Sequence, residues 1–222
     1  MSNYFRQVPD LEYVNRTPNS KIGDYSKVKN LFKRGKLRED ILQNLAFFTK
    51  YQIKGNDRPD NVALEVYGDS NLDWLVLICN NIINVQSEWP ISQQIFDEYL
   101  LDKYEDYDTL YNGIHHYETI EVKNSQGIVI VPEGLQVDSN YTATFYDFFT
   151  DSYEFKTDIV VPVTNYEYEE RLENEKRNIF LLKSRYLNVV KDDLEELMTY
   201  EKGSTQYVSE TLKRADNIRL YT

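Results

Sequence analysis

Cysteine is almost absent from this chain of 222 residues: Cys79 stands alone. That excludes an intramolecular disulfide and any zinc site built from several thiolates of the chain. Its place in the apolar run Trp74–Cys79 reads as a core thiol. The same run is the longest uninterrupted apolar stretch, whereas a membrane-spanning helix needs roughly twenty such residues. No membrane span is expected, and no basic-plus-apolar leader is visible at the N-terminus. The expected compartment is therefore cytoplasm-like unless the protein leaves inside a larger particle. Histidine is nearly as scarce. His115 and His116 are adjacent, and neighbours on a strand point to opposite faces, so joint metal ligation is disfavoured and the helical zinc-hydrolase spacing is missing. The eight scattered glycines form no phosphate-cradling loop, and no G-x-S-x-G elbow occurs. Carboxylate pairs such as Asp57 with Asp60, or Glu105 with Asp108, have the spacing of caps and surface acids, and nothing selects them for catalysis. No enzyme activity, metal or cofactor is expected. Positive charge is also in deficit: 25 Lys and Arg face 37 Asp and Glu, a net charge of −12. Phosphate-rich surfaces repel such a chain, which argues against nucleic acid and anionic membrane as partners.

What is abundant is aromatic surface with a polar tip. Nineteen Tyr and ten Phe stand beside two Trp, and 41% of the chain is hydrophobic, enough to build a core. Tyrosine suits protein interfaces, where the ring is buried and the hydroxyl stays wet, and it equally suits strands.

The densest structural signal is Tyr51–Asn84, YQIKGNDRPDNVALEVYGDSNLDWLVLICNNIIN. Tyr51 and Ile53 alternate with polar neighbours as a half-buried strand does. Gly55-Asn56-Asp57 makes a turn, Asp57 is placed to cap a helix, and Pro59 falls in its first turn. Val62, Ala63, Val66 and Tyr67 share one face. Gly68 ends that helix in the left-handed conformation, and Asp69, Ser70 or Asn71 starts the next. Leu75, Ile78 and Ile82 then form a stripe flanked by Trp74 and Cys79, before Asn80-Asn81 breaks the pattern.

This order of strand, helix and helix, with Tyr-Gly between the helices and Asn after the second, resembles the LysM domain. The run RPDNVALEVYGDSNLDWLVLICNNI, with Glu88-Trp89-Pro90 after it and NYEYEERLENEKRNIFLLKSRYL further on, resembles the LysM-containing baseplate wedge subunits of T-even-like contractile-tailed phages; these blocks cover about a quarter of the chain. The resemblance implies an α+β fold with a LysM-like βααβ core. Tyr51, Ile53, Pro59, Ala63, Tyr67, Gly68, Trp74, Ile78 and Asn80 would be its structural residues. It also implies a structural virion protein of the tail baseplate, assembled in the host cytoplasm and present in a symmetric ring of copies. There it would clamp neighbouring wedge proteins, with the sheath-initiating subunit as a further partner.

The flanks read as follows. Residues 1–44 form an extended N-terminal arm and a basic segment. Tyr4, Phe5 and Tyr13 lie among prolines, suggesting short strands and no helix. Lys27 to Arg38 is a basic island without an acid, either a docking patch or a counterweight to the protein's own acids. Ile41, Leu42, Leu45 and Phe48 form one stripe. Residues 45–104 hold the core and a following helix, capped by Ser92, with Ile95, Phe96, Tyr99 and Leu100 inward. A LysM module would place its closing strand there, so that strand must come from elsewhere: Ile179–Leu182 in 177–183, or Thr119–Lys123.

Residues 105–163 hold an antiparallel β insertion, with strands at His116–Val122, Ile128–Val131, Tyr141–Phe149, Tyr153–Lys156 and Ile159–Val163. Its aromatic hairpins suit addition to a partner's sheet edge, or a flap over their own core. Residues 164–222 are C-terminal helices and a tail. Thr164 and Glu167 form a capping box, and Tyr168, Leu172 and Glu175 lie along one side of the helix it opens. Ser184 caps a last helix with Tyr186, Leu187, Val190, Leu194, Leu197 and Met198 on its apolar face and Gly203 as its stop. The tail beyond Ser204 is expected to order on binding. Candidate partner contacts are Tyr4, Phe5, Tyr13, Lys29, Lys33, Arg34, Tyr166, Tyr168 and Arg177. The alternative is a LysM-type groove for peptidoglycan or chitin at Gly55–Arg58 and Asn80–Ile83.

Overall fold

The computed structural model describes residues 4–15, 17–21, 23–203 and 206–215. Their order mixes helices and strands throughout, an α+β chain. Contacts group the residues into two units, Met1–Trp89 with Arg177–Thr222, and Pro90–Lys176. The helices Gln93–Tyr104 and Asn165–Lys176 therefore belong with the β insertion, not with the segments on either side of it.

In the first unit the strand Phe48–Gln52 leads through the Gly55 turn into the helix Pro59–Tyr67. The helix starts one residue later than a cap at Asp57 requires: the N-cap position is Arg58, held extended and without a side-chain bond. Proline at the first helical position forces the residue before it out of the helical region, which makes Arg58 the boundary. The Asp57 carbonyl instead accepts from Trp89 Nε1 at 2.9 Å. Gly68 closes the helix with φ +73, and its N–H donates to Leu64 O. Asp69 then caps the short turn Ser70–Leu72 by accepting from Asn71 N at 3.0 Å. The second helix, Asp73–Cys79, buries Trp74, Leu75 and Val76; Ile78 and Ile82 pack against the same core, although Ile82 lies beyond the helix end.

The strand that pairs with Phe48–Gln52 comes from far downstream. Asn178–Leu182 runs antiparallel to it, with Ile179 opposite Tyr51 and Leu182 opposite Phe48. The competing segment is spent elsewhere: Thr119 ends a strand that pairs with Val160–Thr164. Ile53 lies just past its strand but is buried, and its N–H donates to Arg177 O at 2.9 Å, extending the pairing. The helix Leu187–Met198 covers this core with Val190, Leu194 and Met198. Ser184 does not cap it. Ser184–Tyr186 forms a 3-10 turn, and the helix starts after Tyr186 without a side-chain cap. It stops at Met198, before Gly203 is reached.

The described residues near both ends depart from the arms expected of them, and the parts of those arms at 1–3 and 216–222 lie outside the described residues. Tyr4–Gln7 is a short helix, ending before Pro9 because the residue preceding a proline disfavours helix. Asp10–Val14 then pairs antiparallel with Tyr25–Lys29 and parallel with Leu212–Arg214. The segment after Ser204 is thus partly a hairpin, Tyr207–Ser209 with Leu212–Arg214, joined to the N-terminal strand within the chain. Val208 and Leu212 have helical spacing, but they flank the turn of that hairpin. The stripe drawn through Ile41, Leu42, Leu45 and Phe48 also breaks. The helix Glu39–Leu42 is a single turn, so Ile41 and Phe48 are buried while Leu42 and Leu45 face solvent.

In the second unit Ser92 Oγ accepts from Ile95 N, and the helix Gln93–Tyr104 buries Phe96 and Leu100. Ile95 and Tyr99 are exposed, because the packed stripe is only the i, i+4 pair. A short helix, Tyr107–Asn112, adds Leu110 to this cluster. The strands Ile114–Thr119, Val160–Thr164 and Gln136–Val137 make a three-stranded sheet. Val122–Lys123 pairs with Val129–Val131, and Ala143–Asp147 with Ser152–Lys156. Thr164 and Glu167 exchange bonds as expected: Thr164 N donates to Glu167 Oε2 at 3.0 Å and Glu167 N to Thr164 Oγ1 at 3.2 Å. The buried side of the helix they open is not the Tyr168–Leu172–Glu175 stripe but Glu169 and Glu173. Glu169 accepts from Lys103 Nζ and Tyr104 OH, and Glu173 from Ile91 N and Lys176 Nζ, so both carboxylates are compensated.

Candidate functional site

The basic island faces the protein's own acceptors. Lys27 and Lys29 bracket the Asp10 carboxylate at 2.9 and 3.0 Å and hold it below the usual carboxylate range despite the opposing effect of burial. Lys29 Nζ also donates to Val8 O. Lys33 Nζ donates to Leu197 O and Thr199 O, and burial, with Lys213 nearby, pushes its pKa down. Arg38 bonds Asp40 and Asp193, while Arg34 reaches Asn81 Oδ1 at 3.5 Å. Lys33 and Arg38, with Lys36 and Lys213, line an open cleft of 610 Å³ together with Asp193, Glu196 and Glu201, a mixed-charge surface with no single sign to select a ligand. Gly35 explains how the island lies so close to the core. A Cβ there would stand 2.7 Å from Leu194 Cδ1, and Gly35 N donates to Tyr4 OH at 2.8 Å.

The other sequence-derived contact residues are largely used inside their own units. Tyr4 packs on the core beside Trp74, ring centroids 5.9 Å apart. Tyr166 stacks on Tyr111 at 4.9 Å, and Tyr168 on His115 at 3.8 Å. Arg177 Nη1 donates to Gly55 O at 2.8 Å. Phe5 and Tyr13 keep substantial exposed surface.

The groove positions considered for a sugar are similarly occupied. Asn80 Nδ2 donates to Val76 O and Phe180 O, and its Oδ1 accepts from Phe180 N. The carbonyls of Gly55 and Asp57 serve Arg177 and Trp89. Among the described residues no group of three or more His, Cys, Asp or Glu could hold a metal ion, and no helix is long and apolar enough to cross a membrane.

Phe32 in the basic island is 95% exposed, and a cluster of exposed rings lies on the hairpin Ala143–Asp147/Ser152–Lys156. Phe148, Phe149, Tyr153 and Phe155 are 86, 75, 77 and 63% exposed. The register sets Tyr146 opposite Tyr153 and Thr144 opposite Phe155 on one face, while Ala143 and Asp147 turn inward. Asp147 is buried, and its carboxylate accepts from Ser125 N at 3.0 Å and Phe149 N at 2.9 Å; the bonds made by Ser125 and Phe149 pull its pKa down to about 2. One side chain therefore ties the hairpin tip to the 124–127 turn. The sequence signal for this surface was the alternation in YTATFYDFFTDSYEFK, which marks strands but does not tell which face is left uncovered.

Such a molecule, with Lys29, Lys33 and Arg38 bonded internally and large aromatic rings left outside, has the surface of a protein that works by contact with other proteins. Residues 4–200 match the family described as Base plate wedge protein 53, and the chain belongs to that family. It is also 35% identical over 54 residues to the baseplate wedge protein gp53 of Enterobacteria phage T4, a match spanning 24% of this chain and 28% of that relative. A structural role in the baseplate follows from that membership.

Proposed function

We propose that the chain clamps neighbouring wedge subunits together during baseplate assembly and occurs in several copies in the symmetric ring of the virion's tail. Its partners are other wedge proteins and the sheath-initiating subunit, and it joins them in the host cytoplasm. The observation that carries this reading is the family match over residues 4–200. The exposed aromatics on the second unit support it, since large uncovered rings are the currency of protein interfaces. The strand–helix–helix–strand order from Phe48 to Leu182 supports a LysM-like core used as a scaffold. The strand Asn178–Leu182 returns to pair with Phe48–Gln52 inside the same unit, although residues 90–176 separate it from the helices of that core in sequence.

Reading sugar in the LysM manner is the weaker proposal, because the polar groups it needs at Gly55, Asp57 and Asn80 are bonded within the chain. Reconstitution of wedges from purified proteins of the same phage, with and without this chain, tests the clamp. Wedges should form without it yet fail to join side by side, and rings closing in its absence would overturn the proposal.

A further inference from the structure

We propose that the outward face of the 143–156 hairpin is a docking surface for an apolar segment flanked by Lys or Arg on another baseplate protein, an inference that rests on the wedge reading above. The face is built, not incidental. Tyr146 meets Phe148 and Tyr153 edge-on, both at 5.1 Å, so the rings already hold one another in place. Asp147 fixes the tip from below, and Ala143 with Phe145 anchors the opposite face on the small core of Val122, Val131 and Ile159. Rings held before contact lose little conformational freedom on docking, which is what makes an aromatic face a good anchor. Among the described residues the hairpin pairs with no third strand. With its inner face packed on that core and its outer face bare, the ribbon leaves a partner room to cover the outer face as a second layer.

Charge names the occupant. Residues 138–158 carry five acids against the single cation Lys156; Asp147 turns inward, which leaves Asp138, Asp151 and Asp158 exposed beside the half-buried Glu154. That lysine is itself paired with Glu154 at 2.8 Å. An acidic rim around an apolar centre favours a basic rim on the other side. A second copy of this chain is a poor match, because its net charge is −12 and Lys27, Lys29, Lys33 and Arg38 of its basic island are bonded to Asp10, Asp40, Asp193 and backbone carbonyls. Nucleic acid is repelled by the same acids.

The probe is the set of remaining wedge proteins of the same phage, purified and mixed with the full chain carrying a photo-crosslinking phenylalanine analogue at Tyr153. The wild-type chain should join the wedge on a gradient, and the crosslink should map to a Lys- or Arg-flanked apolar segment of another wedge protein. Replacing two of the exposed rings, Phe148→Ser with Phe155→Ser, should weaken joining by on the order of tenfold or more with an unchanged circular dichroism spectrum, and added salt should weaken it further. If the chain joins but the crosslink maps to itself or a second copy, or salt strengthens joining, the docking surface is refuted while the wedge reading stands. If the wild-type chain does not join the wedge at all, both fall. Should the double variant lose its fold, the crosslink alone decides.

Discussion

The Asn80 side chain is a surrogate strand for Phe180: its Oδ1 accepts from Phe180 N at 2.7 Å and its Nδ2 donates to Phe180 O at 2.9 Å. The strand Asn178–Leu182 has a partner on one side, Phe48–Gln52, and in that two-stranded sheet the other side is an edge. Unpaired edge amides and carbonyls invite pairing with foreign strands. Here one amide side chain occupies both groups of Phe180, and its second Nδ2 contact, with Val76 O, holds it on the helix end.

Replacing Asn80 by Ala should therefore destabilise the protein by about 1 kcal/mol, the lower end of the range for lost bonds because Phe180 lies where water can reach it. Asn80→Asp should cost at least as much, since a carboxylate still accepts from Phe180 N but opposes Phe180 O. Urea unfolding of the three proteins checks both, and an Asp variant as stable as wild type would show that the Phe180 carbonyl is not held by this side chain.

Trp74 lies 7% exposed in the main core beside Tyr4. Trp74→Ala should cost about 3–5 kcal/mol, the usual range for deleting a buried large aromatic side chain. An unchanged melting curve accompanied by weaker joining to wedge proteins would instead place Trp74 at an interface.

The contrast between these two residues shows what could be read in advance. Trp74 sits at helical spacing in a local apolar run, so its burial follows from its neighbours in sequence. The strand at Asn178–Leu182 was legible for a similar reason: a short apolar run between charges, at a point where a strand was missing. The role of Asn80 was not, because its partner is 100 residues away and polar bonding leaves no periodic trace. The same holds for the ends of the chain, where a parallel pairing of Asp10–Glu12 with Leu212–Arg214 has no sequence signature. Charge was legible as an excess but not as a geometry. The sequence could not tell that Lys29 and Lys33 turn inward to Val8 O and Leu197 O while Phe148 and Phe155 turn out.

The terminal sheet makes a prediction about the free protein. Asp10 N donates to Thr211 O at 2.8 Å and Ala215 N to Glu12 O at 2.8 Å, with the Glu12–Arg214 ion pair across the same strands. Amide exchange at Asp10 and Ala215 should be slowed in the isolated chain, without any partner. Arg214→Ala should change stability by less than about 1 kcal/mol, because the pair is exposed and screened. Fast exchange at both amides in the isolated chain would mean that this sheet forms only on assembly.

Asp147 makes the hairpin tip sensitive to acid. Its pKa of about 2 lies below the usual 3.8 because the charged form accepts bonds from Ser125 and Phe149. A depressed folded-state pKa contributes stability that is present above the unfolded value and lost as pH falls through the folded one. The contribution should be complete above about pH 4 and disappear towards pH 2. Asp147→Asn should melt below wild type at pH 7, and the gap should narrow as pH drops through that window. A gap independent of pH would show that the carboxylate charge is not what holds the tip.

Cys79 tests the closure of the core. Burial raises its thiol to about 12, so at pH 8 very little thiolate exists to react, and the sulfur is also partly covered by the main core. Iodoacetamide labelling of the native protein should be slower than that of the urea-unfolded chain by on the order of a thousandfold, from the loss of thiolate alone. Asn80→Ala should leave that rate nearly unchanged if the edge can be lost without opening the core, whereas Trp74→Ala should raise it. Equal rates in native and unfolded protein would contradict the packing of the helix Asp73–Cys79 against the strand Asn178–Leu182.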